Sequence, residues 1–136
     1  MYSFETKLRV RYSETDRMGY VYYGNYPQYY EVGRVELMRS LGFPYRALED
    51  MGIIMPVRDL SITYIKPSFY DDELSIKTIV REMPASRAKF EYEISNSEGI
   101  LLNKGETTLL FVNAESRRPM RAPEAILKAL EGYFNE

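Results

Sequence analysis

Hydrophobic and polar residues alternate from Phe4 to Tyr12. Phe4, Thr6, Leu8, Val10 and Tyr12 share one face, while Glu5, Lys7, Arg9 and Arg11 take the other, which predicts a half-buried strand. A loop over Ser13 to Gly24 leads to the strongest helical pattern in the chain, Tyr26 to Leu41. Asn25 suits an N-cap with Gln28 three residues on, Pro27 is tolerated in a first turn, and Gly42 is a natural stop after Arg39. Such a helix is roughly 24 Å long at ~1.5 Å per residue. Tyr26, Tyr29, Tyr30, Gly33, Leu37 and Leu41 form one arc, but Val32, Val35 and Met38 fall outside it. A helix apolar around most of its circumference predicts that something wraps it.

After a short helical turn over Pro44 to Met51, the period returns to two. Leu60, Ile62 and Tyr64 alternate with Asp59, Ser61 and Thr63. Leu74, Ile76, Thr78 and Val80 alternate with Glu73, Ser75 and Lys77. Phe90, Tyr92 and Ile94 alternate with Lys89, Glu91 and Glu93. Asn96-Ser97-Glu98-Gly99 reads as a hairpin turn into a long strand from Ile100 to Asn113, with a bulge expected near Gly105. Pro123 opens a terminal amphipathic helix carrying Ile126, Leu127, Leu130, Tyr133 and Phe134. The order predicts an α+β domain: one curved antiparallel sheet of about five strands wrapped around a long central helix, plus a short C-terminal helix. Consecutive strands are expected to be neighbours. An edge strand is left over, and pairing with a second copy is its natural remedy. No linker, repeat or compositional shift divides the chain, so a single domain is expected over residues 1–136.

Composition narrows the chemistry by what is missing. The chain has no histidine and no cysteine. Ser-His-Asp triads, thiol nucleophiles and His-ligated zinc are therefore beyond its own residues. Catalysis must rest on carboxylates beside electrostatic stabilisers. A net charge of −2 offers no field for nucleic acid, and no apolar run approaches a membrane span. The first residues lack the pattern of a signal peptide, so a cytoplasmic location is expected.

The loop before the long helix is where these requirements meet. Asp16 lies shortly before a helix start, where free N–H groups and a partial positive charge can hold an oxyanion. Gly19 and Gly24 permit sharp turns and close ligand approach. The plain alternative for Asp16 is an Asx hydrogen bond that stabilises the loop. Glu14 is a second carboxylate nearby, but alternation points it elsewhere.

The stretch Arg11-Tyr12-Ser13-Glu14-Thr15-Asp16-Arg17-Met18-Gly19-Tyr20-Val21-Tyr22-Tyr23-Gly24-Asn25-Tyr26 resembles the signature of the 4-hydroxybenzoyl-CoA thioesterase family. Tyr29-Tyr30-Glu31, Gly33-Arg34, Tyr64-Ile65-Lys66-Pro67 and Tyr70-Asp71-Asp72-Glu73-Leu74 extend the resemblance over nearly the whole chain. It implies a hot-dog fold and hydrolysis of acyl-CoA or acyl-carrier-protein thioesters, with no metal or cofactor; coenzyme A is part of the substrate. It also implies that Asp16 is the catalytic carboxylate, as nucleophile or as general base toward water, and that backbone N–H groups near Tyr23 and Gly24 polarise the thioester carbonyl. Many bacterial members carry histidine where this chain has Tyr23.

The resemblance further implies coenzyme A contacts at Arg87 and Lys89, and Lys66, Arg117 and Arg118 are additional candidates. Each is equally readable as a solvated surface cation. Gly19, Tyr26 and Glu31 are expected at the substrate pocket, although Glu31 has the alternative of pairing with Arg34. Thirteen tyrosines, several of them clustered from Tyr20 to Tyr30, line a pocket or pack the core. Asp71-Asp72-Glu73 reads as a solvated turn. A homodimer that assembles further to a tetramer is expected, with cations of one subunit serving Asp16 of the other. The competing function is a non-catalytic acyl-CoA or acyl-carrier-protein binding module of the same fold; hydratase chemistry ranks lower because its hot-dog enzymes use histidine.

Overall fold

The computed structural model describes residues 1–134, so positions 135 and 136 of the expected domain lie outside the described residues. The elements run β1 (Tyr2–Arg9), α1 (Tyr26–Ser40), α2 (Tyr45–Asp50), β2 (Ile53–Ile54), β3 (Val57–Tyr64), β4 (Glu73–Val80), β5 (Arg87–Ser95), β6 (Leu101–Asn113), β7 (Pro119–Met120) and α3 (Glu124–Glu131). Single 3-10 turns at Tyr12–Glu14 and Tyr23–Asn25 bracket the loop before α1. Every strand pair is antiparallel, in the order β1-β4-β5-β6-β3. The short strands β2 and β7 pair with the last residues of β6.

The sheet departs from the sequence expectation in its neighbours. Strand β3 pairs with β6 rather than with β4. The segment between β3 and β4 is too long for a tight hairpin and is anchored elsewhere: the amides of Ile65 and Lys66 both donate to the Leu102 carbonyl, at 2.8 and 2.9 Å, the Asp71 amide donates to the Val10 carbonyl just past β1 at 3.0 Å, and the Val10 amide donates to the Asp72 carbonyl at 2.9 Å. Two strands of two residues each were too short to leave an alternation. The predicted bulge at Gly105 is absent; irregularities fall instead at Ile94/Ser95 and Val57/Asp59. Gly105 answers a different need. A Cβ there would stand 2.5 Å from the Ser61 carbonyl and 2.7 Å from the Tyr30 ring. The Asn96–Gly99 turn forms as read, closed by the Gly99 amide on the Asn96 carbonyl at 3.0 Å.

Helix α1 lies in the concavity of the sheet. Tyr30 stacks flat on Tyr92 with centroids 4.3 Å apart and planes 4° from parallel. The Tyr30 hydroxyl donates to Asn103 Oδ1 at 2.7 Å, and the Tyr92 hydroxyl meets Thr107 Oγ1 at 2.6 Å. Leu37, Leu74, Ile76, Ile94 and Leu109 are fully buried around them, each worth roughly 1.5–3 kcal/mol of transfer free energy. Arg34 is buried among these groups, donating from Nε to the Tyr45 hydroxyl at 2.7 Å and from Nη1 to the Tyr92 hydroxyl at 3.1 Å. Its engagement there removes the expected alternative of a Glu31–Arg34 pair. Met38, placed outside the apolar arc by sequence, is buried, while Val32 is exposed.

The first strand stops at Arg9. Tyr12, predicted to continue its inner face, sits in a 3-10 turn and is 77% exposed. Asn25 does not cap α1; its side-chain amide donates to the Glu14 carbonyl at 2.8 Å. At the other end of the sheet order, no strand among the described residues lies beyond β3. Leu60 and Tyr64 are 41% and 50% exposed, so the edge presents both apolar side chains and free backbone groups.

The close approach at Gly105 yields a stability prediction. Gly105→Ala forces a methyl against Tyr30 and the β3 backbone and is expected to destabilise by about 1–3 kcal/mol. Gly132→Ala, which meets open space, is expected to stay within about 0.5 kcal/mol of the parent. Thermal unfolding of the two variants checks the contrast.

Candidate active site

The loop from Arg11 to Asn25 is organised by Glu14. Its carboxylate is buried, with Oε1 accepting the Arg11 amide at 2.8 Å and the Tyr29 hydroxyl at 3.0 Å, and Oε2 accepting Arg11 Nη2 at 3.2 Å. Its main-chain carbonyl accepts the Tyr22 amide and Asn25 Nδ2, each at 2.8 Å. One residue thus joins the end of β1, the loop and the start of α1. Burial alone would raise the Glu14 pKa, but the Arg11 amide, the Tyr29 hydroxyl and the Arg11 guanidinium together outweigh it and hold the carboxylate below its ordinary range. Burial, followed by the same carboxylate, pushes the Tyr29 phenol up.

Beyond Glu14 the chain forms a narrow hairpin, with Thr15 bridged to Val21 and Tyr20 bridged to Phe69. Asp16 closes its tip. The Asp16 amide donates to the Tyr20 carbonyl at 2.8 Å, and Asp16 Oδ1 accepts the amides of Met18 at 2.9 Å and Tyr20 at 3.2 Å. This is the Asx arrangement that loop chemistry anticipates. Among the described residues nothing donates to Oδ2. Gly19 takes φ +80° at the tip, a conformation suited to glycine. Asp16 stands two residues, roughly 7 Å at ~3.3 Å per residue, from the rung that fixes Tyr22.

The 3-10 turn Tyr23–Asn25 opens α1, and the first amides of such a turn have no acceptor within it. Beside it lies a cleft of about 250 Å³ lined by Tyr20, Val21, Tyr23, Tyr26, Tyr64, Ile65, Lys66 and Pro67. Tyr26 stands at its floor, its hydroxyl 2.7 Å from Ser68 Oγ, and burial raises its pKa. A slightly larger hollow of about 280 Å³ lies on the outer face of the sheet among Glu91, Glu93, Lys104 and Glu106. Its walls mix these charged strand side chains with Ser61, Thr63 and Ile79, and the helix start does not border it.

Of the predicted site residues, Tyr23, Tyr26 and Lys66 share the cleft, with Gly24 in the adjoining turn. Asp16 and Gly19 sit on the hairpin next to it but do not line it. Glu31 points to solvent from α1, beside exposed Gln28 and Val32. Arg87 and Lys89 are not brought to the cleft of their own chain. They pair with Leu110 and Thr108, eight and six residues along β6 from the Leu102 carbonyl that holds Lys66, a separation of roughly 20–26 Å. Lys89 also faces Glu106 at 3.4 Å. Glu14 was set aside because alternation was extended through a 3-10 turn. Tyr64 and Ser68 were missed because their partners, Tyr23 and Tyr26, lie some forty residues away.

An antiparallel sheet wrapped around one helix, with a cleft at the helix start, defines a hot-dog-fold protein. The chain belongs to the thioesterase-like superfamily, whose model matches residues 10–130. It is 35% identical over 125 residues to the putative acyl-CoA thioesterase YneP of Bacillus subtilis, covering 92% of this chain and 91% of that one. It is 32% identical over 124 residues to the acyl-CoA thioester hydrolase YbgC of Escherichia coli, covering 91% and 92%. A solved DHNA-CoA thioesterase from Staphylococcus aureus superposes with a TM-score of 0.88 at 35% identity, over 100% of this chain and 97% of the other. A 4-hydroxybenzoyl-CoA thioesterase bound to 4-hydroxybenzoyl-CoA shares the fold, with a TM-score of 0.84 at 18% identity over 93% and 97%.

The Glu14 hub makes a pH-dependent prediction. A carboxylate with a depressed folded-state pKa contributes stability above its unfolded pKa, about 4.3, and loses it as pH falls through the lower folded value. Glu14→Gln is expected to cost about 1–3 kcal/mol at pH 7. The gap to the parent should narrow below pH 4, where the parent loses the same contribution. Denaturant unfolding at pH 7 and pH 3.5 measures it.

Proposed function

We propose that this chain hydrolyses acyl-CoA thioesters at the cleft beside the start of α1, with Asp16 as the reacting carboxylate. The observation that carries the proposal is an aromatic cleft lined by Tyr20 and Val21 of the hairpin that Asp16 closes and by Tyr23 of the turn that opens α1. The relatives named as acyl-CoA thioesterases support the same reaction. In it, Asp16 or a water that it deprotonates attacks the thioester carbonyl carbon. The carbonyl oxygen takes the negative charge and is held by the amides of the turn. The C–S bond then breaks, and coenzyme A leaves as a thiolate that takes up a proton. With direct attack, water afterwards hydrolyses the aspartyl anhydride. Neither route requires a metal or a cofactor. Tyr23 takes no part as an imidazole would; its ring walls the cleft.

The unpaired edge of β3 supports a homodimer, in which two edges join and bury Leu60. In such a dimer, Arg87 and Lys89 of one subunit serve the phosphates of coenzyme A bound at the other subunit's cleft. Pairing of such dimers into a tetramer, acyl-carrier-protein substrates and a cytoplasmic location belong to the same reading. No helix among the described residues is long and apolar enough to cross a membrane. The reading as a non-catalytic acyl-CoA binding module is favoured by one observation, the use of Asp16 Oδ1 by its own turn amides.

Release of free thiol from short, long, branched and aryl acyl-CoAs tests the function. The parent is expected to turn over at least one class, and Asp16→Asn to lower kcat by about 10²–10⁴. Turnover of none, or a fully active Asp16→Asn, contradicts the proposal. For the assembly, light scattering is expected to give a dimer or larger for the parent and a monomer for Leu60→Glu, because a charge on the edge face blocks strand pairing.

A further inference from the structure

The peptide between Tyr23 and Gly24 is held from the sheet as well as from the loop. The Tyr64 hydroxyl, at the last residue of β3, donates to the Tyr23 carbonyl at 3.1 Å. Its ring is fixed by two neighbours in the cleft, Tyr23 at 6.3 Å and 89° and Tyr26 at 5.7 Å and 58°. The other tethers of this turn, the Tyr22 amide and the Asn25 side chain, both run to the Glu14 carbonyl and leave the Tyr23–Gly24 peptide untouched. Among the described residues, Tyr64 supplies the side-chain donor to that peptide.

A peptide unit is planar and trans, so the Tyr23 C=O and the Gly24 N–H point in opposite directions along one rigid plate. A donor that fixes the carbonyl fixes the direction of the amide. It also draws electron density through the unit and makes the N–H a stronger donor, by roughly 10–30% in condensed-phase estimates. Gly24 suits the position because a Cβ there would meet the Tyr22 ring at 2.6 Å.

We infer that Tyr64 is a positioning residue for the reaction: its hydroxyl, bonded to the Tyr23 carbonyl, aims and polarises the Gly24 amide that receives the thioester oxygen. This inference rests on the thioesterase reading above.

Tyr64→Phe removes the hydroxyl and keeps the ring. In ¹⁵N-labelled protein, the Gly24 amide proton is expected to move upfield in the variant, while the amides of Val21 and Tyr22 stay in place. With an acyl-CoA that the parent hydrolyses, kcat is expected to fall about tenfold with KM changed less than twofold. That is smaller than the roughly 10²–10³ that loss of a whole oxyanion donor costs, because the amide is misaimed rather than removed. An unmoved Gly24 resonance overturns the assignment, as does an equally active variant of an active parent, which leaves the thioesterase reading standing. A parent inactive on every thioester overturns that reading instead, and the Gly24 shift then still decides whether Tyr64 holds the peptide.

Discussion

The site depends on a buried glutamate that uses both its ends. The Glu14 carboxylate gathers the Arg11 amide, the Arg11 guanidinium and the Tyr29 hydroxyl, while its carbonyl gathers the Tyr22 amide and the Asn25 side chain. A charge in this position is stable only while those donors are present, since an unpaired buried carboxylate is costly. The constraint runs both ways. The donors keep Glu14 ionised, and Glu14 keeps the strand end, the hairpin and the helix start in one arrangement. The hairpin bearing Asp16 and the turn bearing the free amides are therefore positioned by a residue that need not touch substrate.

The core supplies the rest of the geometry. Helix α1 can approach the sheet closely enough for Tyr30 to stack on Tyr92 because position 105 carries no side chain. That approach sets where the helix start emerges, and Tyr26, Tyr64 and Ser68 meet there. Among the described residues, the same sheet leaves one edge of β3 unpaired, the other being bonded to β6. In the proposed dimer, the cleft, the free edge and the basic residues at the start of β5 would become parts of one arrangement.

Much of this was legible in the sequence where periodicity is strong. The start of α1 at Tyr26, the five long strands and the terminal helix follow from alternation and helical spacing. What was not legible depends on contacts between distant residues. Nothing local to Glu14 reveals that Tyr29 and Asn25 fold onto it, and a 3-10 turn breaks the alternation that points it elsewhere. Arg34 reads as a possible partner of Glu31, whereas Tyr45 and Tyr92, from two other elements, close around it. The position of β3 beside β6 follows from the anchoring of Ile65 and Lys66 on Leu102, a tertiary choice that no strand pattern encodes.

The proposed reaction requires Asp16 and the amides at the start of α1 to face one another across a substrate carbonyl. A crystal structure with a non-hydrolysable thioether analogue of acyl-CoA tests it directly. The analogue's carbonyl oxygen is expected within hydrogen-bonding distance of the Tyr23 or Gly24 amide, with an Asp16 carboxylate oxygen facing the carbonyl carbon directly or through one water. An analogue bound away from the start of α1, with Asp16 engaged only by Met18 and Tyr20, would contradict it.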